Sequence, residues 1–238
     1  MPERAVVLAA GRGSRLGALT TSTPKPLLDV GGIPIIERIL DGVASVGIHE
    51  VGMITGYLAD TLEDAVWGMG GLSIEFIRQP EPNGTGGALL LAKEFTQGQP
   101  FFFTWGDVLV GPGNYGRVLE ASGWADAVIA INQVDDPAAG AAVYVDDAYS
   151  VERIVEKPAP GTSKTRWNNA GFGLLGPAIW PYLESVTPSA RGEIELPDAL
   201  TALIEAGGKV RAVPVEGRWF DIGTPESLQA ARAHFTGT

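Results

Sequence analysis

Within residues 6–28 (VVLAAGRGSRLGALTTSTPKPLL) the cations Arg15 and Lys25, of different kinds, accompany the glycines Gly11, Gly13 and Gly17. Successive glycines let backbone N–H groups turn inward and approach an anion closely. Arginine adds a planar fork suited to phosphate oxygens, and lysine a mobile point charge. The apolar run at residues 6–10 reads as a buried strand feeding this loop, so the stretch reads as a device for handling phosphate. The glycines approximate a dinucleotide fingerprint. That fingerprint needs a helix opening inside the loop and an acidic residue about 20 positions on. Here residues 20–26 hold Pro24 and Pro26 instead, and the chain has no Gly-Lys-Ser/Thr of a P-loop. An ordinary glycine turn with scattered charges is the poorer account once Arg15 and Pro24-Lys25-Pro26 follow at these spacings.

Other candidates stand further along. Gln79 precedes Pro80-Glu81-Pro82-Asn83-Gly84-Thr85. A glutamine amide both donates and accepts, so it can pair with the O4/N3 edge of uracil or thymine, and Gly84 brings bare backbone near. Taken alone, that segment reads equally well as a turn. Asp107 ends an apolar run, where a carboxylate can hold Mg²⁺ against phosphates. Asp126, Asp135, Asp136, Asp146 and Asp147 read as solvated loop charges. With only His49 and His234 and no cysteine, no acid–base pair or thiolate nucleophile is indicated.

These residues need a scaffold. Helical spacing of Ile35, Ile36, Ile39, Leu40 and Val43 predicts a helix to about residue 46, closed by Gly47. Strands are predicted at residues 50–55, 72–78, 101–103, 126–131, 171–175, 210–215 and 218–220, and a hairpin at 141–145 and 149–155. Further helices are predicted at 61–67, 86–95, 177–183, 196–206 and 225–233, the last capped by Thr224. Alternating strands and helices predict an α/β fold with a mostly parallel sheet covered on both faces, and sites in such sheets lie beyond the strand C-termini. The glycine loop, Gln79 and Asp107 all follow strands and are expected to meet there. At 238 residues the chain suits a single domain, residues 1–238, with a half to about residue 134 and a second half from about 135. A net charge of −11 argues against nonspecific nucleic-acid binding. No apolar run approaches a membrane span, and the N-terminus leads directly into a strand, so a cytoplasmic protein without a leader is expected.

The pattern L-A-A-G-x-G-x-R-L over residues 8–16, followed by T-x-x-x-P-K-P-L over residues 20–27, resembles the signature of the sugar-1-phosphate nucleotidyltransferases, the NDP-sugar pyrophosphorylases. The resemblance implies a Rossmann-like three-layer αβα fold with a small antiparallel insertion. It implies nucleotide contacts from Ala9, Ala10, Gly11, Gly13, Ser14, Arg15, Lys25, Gln79, Gly84, Thr85 and Asp107, with residues 1–134 as the nucleotide half. Trp219-Phe220-Asp221-Ile222-Gly223-Thr224 is similar to the family's second metal motif, so Asp107 and Asp221 are the implied Mg²⁺ ligands. Glu156-Lys157-Pro158 matches E-K-P, which implies that Glu156 accepts sugar hydroxyls and Lys157 contacts the sugar phosphate. Asn168-Asn169-Ala170-Gly171 resembles the N-x-G segment, which leaves open which asparagine holds a hydroxyl. Residues 191–199 (RGEIELPDA) resemble the motif of the glucose-1-phosphate members, with Glu193 as a hexose contact. Pro197 replaces the usual Thr there, and Trp105 is an unusual neighbour of Gly106-Asp107, placed either to stack on a ligand or to fill core. The implied reaction joins dTTP or UTP to a sugar-1-phosphate, glucose-1-phosphate first among the candidates, with Arg15, Lys25 and Lys157 as the catalytic cations. Mannose-, N-acetylhexosamine- or muramate-1-phosphate, phosphocholine, or a non-catalytic nucleotide-sugar-binding paralogue are the alternatives. A nicotinamide-dependent oxidoreductase is disfavoured by the missing ribose-binding acid. Members commonly form dimers or tetramers.

Overall fold

The computed structural model describes residues 1–123 and 125–236. The chain begins with β1 (Arg4–Leu8), whose apolar residues Ala5, Val6 and Val7 are fully buried. The signature then folds as two short 3₁₀ stretches, Ser14–Thr20 and Lys25–Leu27. A small antiparallel pair, β2 (Asp29–Val30) and β3 (Ile33–Pro34), leads into α1 (Ile35–Ser45). There follow β4 (Glu50–Thr55), α2 (Ala59–Val66), β5 (Ser73–Arg78), α3 (Gly84–Leu91), β6 (Phe101–Trp105), β7 (Val108–Val110) and α4 (Gly113–Glu120). The second half comprises β8 (Ala127–Gln133), β9 (Ala141–Val145), β10 (Val151–Glu156), β11 (Trp167–Leu175), α5 (Trp180–Ser185), α6 (Leu196–Glu205), β12 (Val210–Pro214), β13 (Trp219–Asp221) and α7 (Pro225–Phe235).

The main sheet runs β12-β8-β11-β6-β1-β4-β5. Only β11 runs against its neighbours in that row; β1 pairs β4 and β6, β4 pairs β5, and β12 pairs β8, all in parallel. The hairpin β9–β10 joins the N-terminal end of β11 as the antiparallel insertion. Residues of β1 and β6 alternate between two apolar layers. Val7 and Phe102 pack with Ile36, Ile39 and Leu62 on one face. Val6, Phe101 and Phe103 pack with Leu89, Leu183 and Leu200 on the other. This produces the three-layer αβα arrangement, and it explains why β6 is a continuous run of phenylalanines: a strand buried on both faces has no solvent side to alternate with.

The chain leaves β1, lays down β4 and β5 to one side, and returns to β6 on the other. A crevice opens where the order reverses, at the C-terminal ends of β1 and β6. The first strand stops at Leu8, short of the expected residue 10. Ala9 and Ala10 belong to the loop, held by Ala9 N–H to Ile54 O (2.8 Å) and Tyr57 N–H to Ala10 O (3.1 Å). The helix expected at 86–95 opens earlier, at Gly84, and ends at Leu91. The strand expected at 171–175 begins at Trp167, which brings both Asn168 and Asn169 into the sheet. Glycine and proline at Gly111, Pro112, Gly113 and Gly116 interrupt the pattern that would have announced β7 and α4. Thr224 caps α7 as expected, in a reciprocal capping box with Ser227.

Candidate active site

A cavity of about 570 Å³ occupies the crevice. It gathers thirteen of the predicted residues from distant parts of the chain: Ala10, Gly11, Arg15, Gln79, Gly84, Thr85, Asp107, Glu156, Lys157, Asn168, Asn169, Glu193 and Asp221. Five lie outside the lining. Ser14 is exposed and Ala9 is buried in the core. Lys25 lies behind the wall, and Gly13 supports it: a Cβ on Gly13 would sit 3.1 Å from Lys25 Cδ. Gly171, at φ +84°, lies against the Trp105 indole, where a Cβ would come within 2.3 Å of Cε3. Glycine there lets the indole lie flat on β11 and line the cavity.

The floor is electrostatic. Lys25 is nearly buried and forms an ion pair with Asp107. The short pairing of β13 with β7 carries Asp221 to the same place, with Ile222 N–H donating to Asp107 O at 3.0 Å. Burial raises the Asp221 carboxyl above its ordinary value, the Asp107 charge raises it further, and Lys25 and Arg15 act in the opposite sense. The Arg15 guanidinium packs on Gly223, where a Cβ would lie 2.9 Å from Nη2. The turn after β13 therefore aims Arg15 as well as Asp221. Two carboxylates and two cations thus share one focus at the switch point. The carboxylates are hard oxygen donors of the kind Mg²⁺ takes, and the raised Asp221 marks a place where added positive charge is favoured. This donor pair fits a divalent cation.

The other end is organised by Arg191, which reading by motif passed over. Its Nη2 pairs with Glu195 and lies 3.3 Å from both Glu156 Oε1 and Glu193 Oε2. Burial and then the Glu195 charge raise the Glu156 carboxyl, while Lys157 and Arg191 oppose them. The signal was a lone cation before alternating acids, Arg191-Gly192-Glu193-Ile194-Glu195. Lys157 holds φ +42°, uncommon for a side-chain-bearing residue, with its N–H bonded to Gly140 O at 2.7 Å. Such strain persists only where the surroundings over-determine it, often at functional positions.

The two asparagines differ. Asn168 donates to Asn132 Oδ1 and to Asn169 O, and accepts from Ala141 N–H. Asn169 accepts from Gly171 N–H, while its Nδ2 has no partner. Thr85 Oγ1 accepts from Leu196 N–H at 3.2 Å, which ties the Gln79–Thr85 segment to the start of α6. Asp136, expected to be only a solvated loop charge, lines the cavity and also accepts from Ala138 and Gly161 N–H. It closes the turn that positions Gly140. Pro197 stands in the first turn of α6, where proline costs no helical hydrogen bond.

The nucleotidyl transferase family model matches residues 4–237. This chain belongs to that family. It is 35% identical over 231 residues to a bifunctional protein GlmU from Methanococcus maripaludis, covering 97% of this chain and 54% of the relative. It is 33% identical over 224 residues to a glucose-1-phosphate thymidylyltransferase of Streptomyces griseus, covering 92% and 62% respectively. The chain thus spans about half the length of the first of these relatives. Among solved structures, a candidate glucose-1-phosphate thymidylyltransferase from Bacillus anthracis, solved with sucrose, superposes with a TM-score of 0.87 at 28% identity over 99% of this chain and 96% of that one. Among the described residues no helix is long and apolar enough to cross a membrane.

Proposed function

We propose that the chain transfers a nucleoside monophosphate from dTTP or UTP to a sugar-1-phosphate, releasing pyrophosphate. The observation that carries this reading is the focus of Arg15, Lys25, Asp107 and Asp221 at the mouth of β1 and β6. A phosphate oxygen of the sugar-1-phosphate attacks the α-phosphorus, a new P–O bond forms, and the α–β anhydride bond breaks. The nucleophile is already ionised at neutral pH, so no general base is required. Catalysis then rests on positioning and charge.

In this reading Lys25 neutralises the α-phosphate and Arg15 the departing pyrophosphate. Lys157 fixes the attacking phosphate. Asp107 and Asp221 would hold Mg²⁺, which would supply positive charge to offset that of the phosphates. Gln79 and Gly84 read a keto pyrimidine. Glu156, Glu193 and Asn169 take the sugar hydroxyls; Asn169 is chosen over Asn168 because its Nδ2 is free while Asn168 is committed to Asn132, Asn169 and Ala141. Residues to about 134 form the nucleotide side and those from about 135 the sugar side of one unit. Glucose-1-phosphate is the first sugar we assign, in a cytoplasmic enzyme that assembles as a homo-oligomer.

Pyrophosphate release with Mg²⁺, crossing dTTP, UTP, CTP, GTP and ATP with a panel of sugar-1-phosphates, tests the assignment. A maximum at glucose-1-phosphate with dTTP or UTP supports it. A maximum elsewhere keeps the chemistry and moves the specificity. Binding without release from any pair refutes the catalytic reading.

A further inference from the structure

We infer that Asn83 selects the base of the triphosphate by fixing which way round the Gln79 amide sits. The inference rests on the nucleotidyl-transfer reading above and deepens it. Gln79 Nε2 donates to Asn83 Oδ1 at 2.8 Å. Gln79 lines the cavity and Asn83 does not, so Asn83 is a positioning residue.

A glutamine amide presents an acceptor at one end and a donor at the other, and half a turn reverses the order. Uracil and thymine offer an N3–H donor beside an O4 acceptor. Cytosine offers the opposite, an N3 acceptor beside an N4 amine. A freely turning Gln79 would pair with either. Held at its nitrogen by an acceptor, it keeps one order, with Oε1 and the second Nε2 hydrogen left for the base.

Asn83 must itself present its oxygen for this to work, and three features of its setting seat it and favour that end. Its side chain is seated over Gly87, where a Cβ would fall 2.1 Å from Oδ1 and 2.7 Å from Nδ2, so only glycine leaves room for it. It directly precedes the first turn of α3, whose positive N-terminal dipole favours an oxygen over an amide nitrogen, without a capping hydrogen bond from the side chain. Its backbone is pinned from the far side: Ile194 N–H donates to Asn83 O at 2.8 Å, and Gly86 N–H to Ile194 O at 2.9 Å. Ile194 lies between Glu193 and Glu195. The base reader is therefore framed by the same segment that carries the sugar-side carboxylates.

The test compares kcat/KM for UTP, dTTP and CTP, with one sugar-1-phosphate, in the parent protein, Asn83→Ala and Asn83→Asp. Asn83 is exposed, so both variants are expected to fold, and their melting temperatures check this. The parent should prefer the keto bases. Asn83→Ala should lower the UTP:CTP ratio about tenfold, the worth of one orienting hydrogen bond of about 1.4 kcal/mol. Asn83→Asp, an acceptor at either oxygen, should keep the parent ratio. An unchanged ratio in Asn83→Ala, an equal fall for all three triphosphates, or an Asn83→Asp as relaxed as the alanine variant overturns the inference. A parent that uses CTP as readily as UTP also overturns it, while leaving nucleotidyl transfer intact. Absence of pyrophosphate release from every pair instead overturns the transfer reading beneath it.

Discussion

Replacing Lys25 with alanine separates catalysis from folding. The Lys25 side chain is 9% exposed and its partner Asp107 26% exposed. Stripping a fully buried carboxylate of its cation costs about 3–5 kcal/mol, but Asp107 opens onto the cavity, so water and a turned side chain recover part of that. We take roughly 1–2 kcal/mol as the remaining cost. For a domain of this size that lowers the melting temperature by about 2–8 °C and leaves the protein folded at 25 °C. Loss of one preorganised cation aimed at developing charge costs about 2.7–4 kcal/mol in the barrier, or 10²–10³ in turnover. The kinetic loss should therefore exceed the loss of stability. The assay is pyrophosphate release at saturating substrates, beside a melting curve with and without triphosphate. Turnover within about threefold of the parent would refute the role assigned to Lys25. So would a fall in activity that only tracks the unfolded fraction.

Three further outcomes follow from the same geometry. Asp221→Asn should melt at a higher temperature than the parent at neutral pH, because burial and the Asp107 charge raise that carboxyl in the folded state and its ionised form costs stability there; the same variant should lose turnover and any Mg²⁺-dependent rise in melting temperature, and a drop in its melting temperature would contradict the repulsion. Glu156 is raised by burial and by Glu195, against Lys157 and Arg191, so as pH falls through its elevated folded value the carboxylate gains a proton, its cost to folding is relieved, and KM for the sugar-1-phosphate rises; Glu156→Gln should remove that limb of the profile, and an unaltered profile would count against Glu156 as the hydroxyl acceptor. Gly171→Ala must place a methyl 2.3 Å from Trp105 Cε3 at φ +84°, which costs about 1–3 kcal/mol from overpacking alone; an unchanged melting temperature would show that the indole does not rest there.

Much of this was legible from residue types. The triple phenylalanine of β6 announces a strand buried on both faces, and the glycine loop after β1 marks residues that line the cavity, Gly11 and Arg15 among them. Asp107 and Asp221 could be named from their motifs, but the pairing of β7 with β13 that joins them could not. Three-residue strands interrupted by glycine and proline carry no periodic signal, and their partner lies a hundred positions away. Arg191 escaped for a related reason. A charged residue in a polar turn looks solvated until the fold closes Glu156 and Glu195 around it. The choice between Asn168 and Asn169 depends on which side chain the sheet already occupies, through Asn132 on β8, and no local pattern encodes that.

The same pairing logic explains how a chain of net charge −11 could receive the two highly charged anions of the proposed reaction. Lys25 sits on Asp107, Arg191 on Glu156, Glu193 and Glu195, and Lys157 lies 3.8 Å from Glu156. Lys25 and Lys157, two of the three cations assigned to phosphates, are thus paired with a carboxylate in the free protein, which limits the cost of keeping them partly desolvated. Phosphate oxygens then meet groups already aimed, and exchange one anionic partner for another instead of ordering a mobile side chain. Net charge sums the whole chain, 28 Asp and Glu against 17 Lys and Arg. The cavity responds to local pairs, and those are set by β7–β13 at one end and by the Arg191 turn at the other. Variants that remove a carboxylate of these pairs, such as Glu195→Gln, should therefore weaken sugar-phosphate binding even though they make the protein less negative. Tighter binding in that variant would mean that bulk charge, not pairing, governs the site.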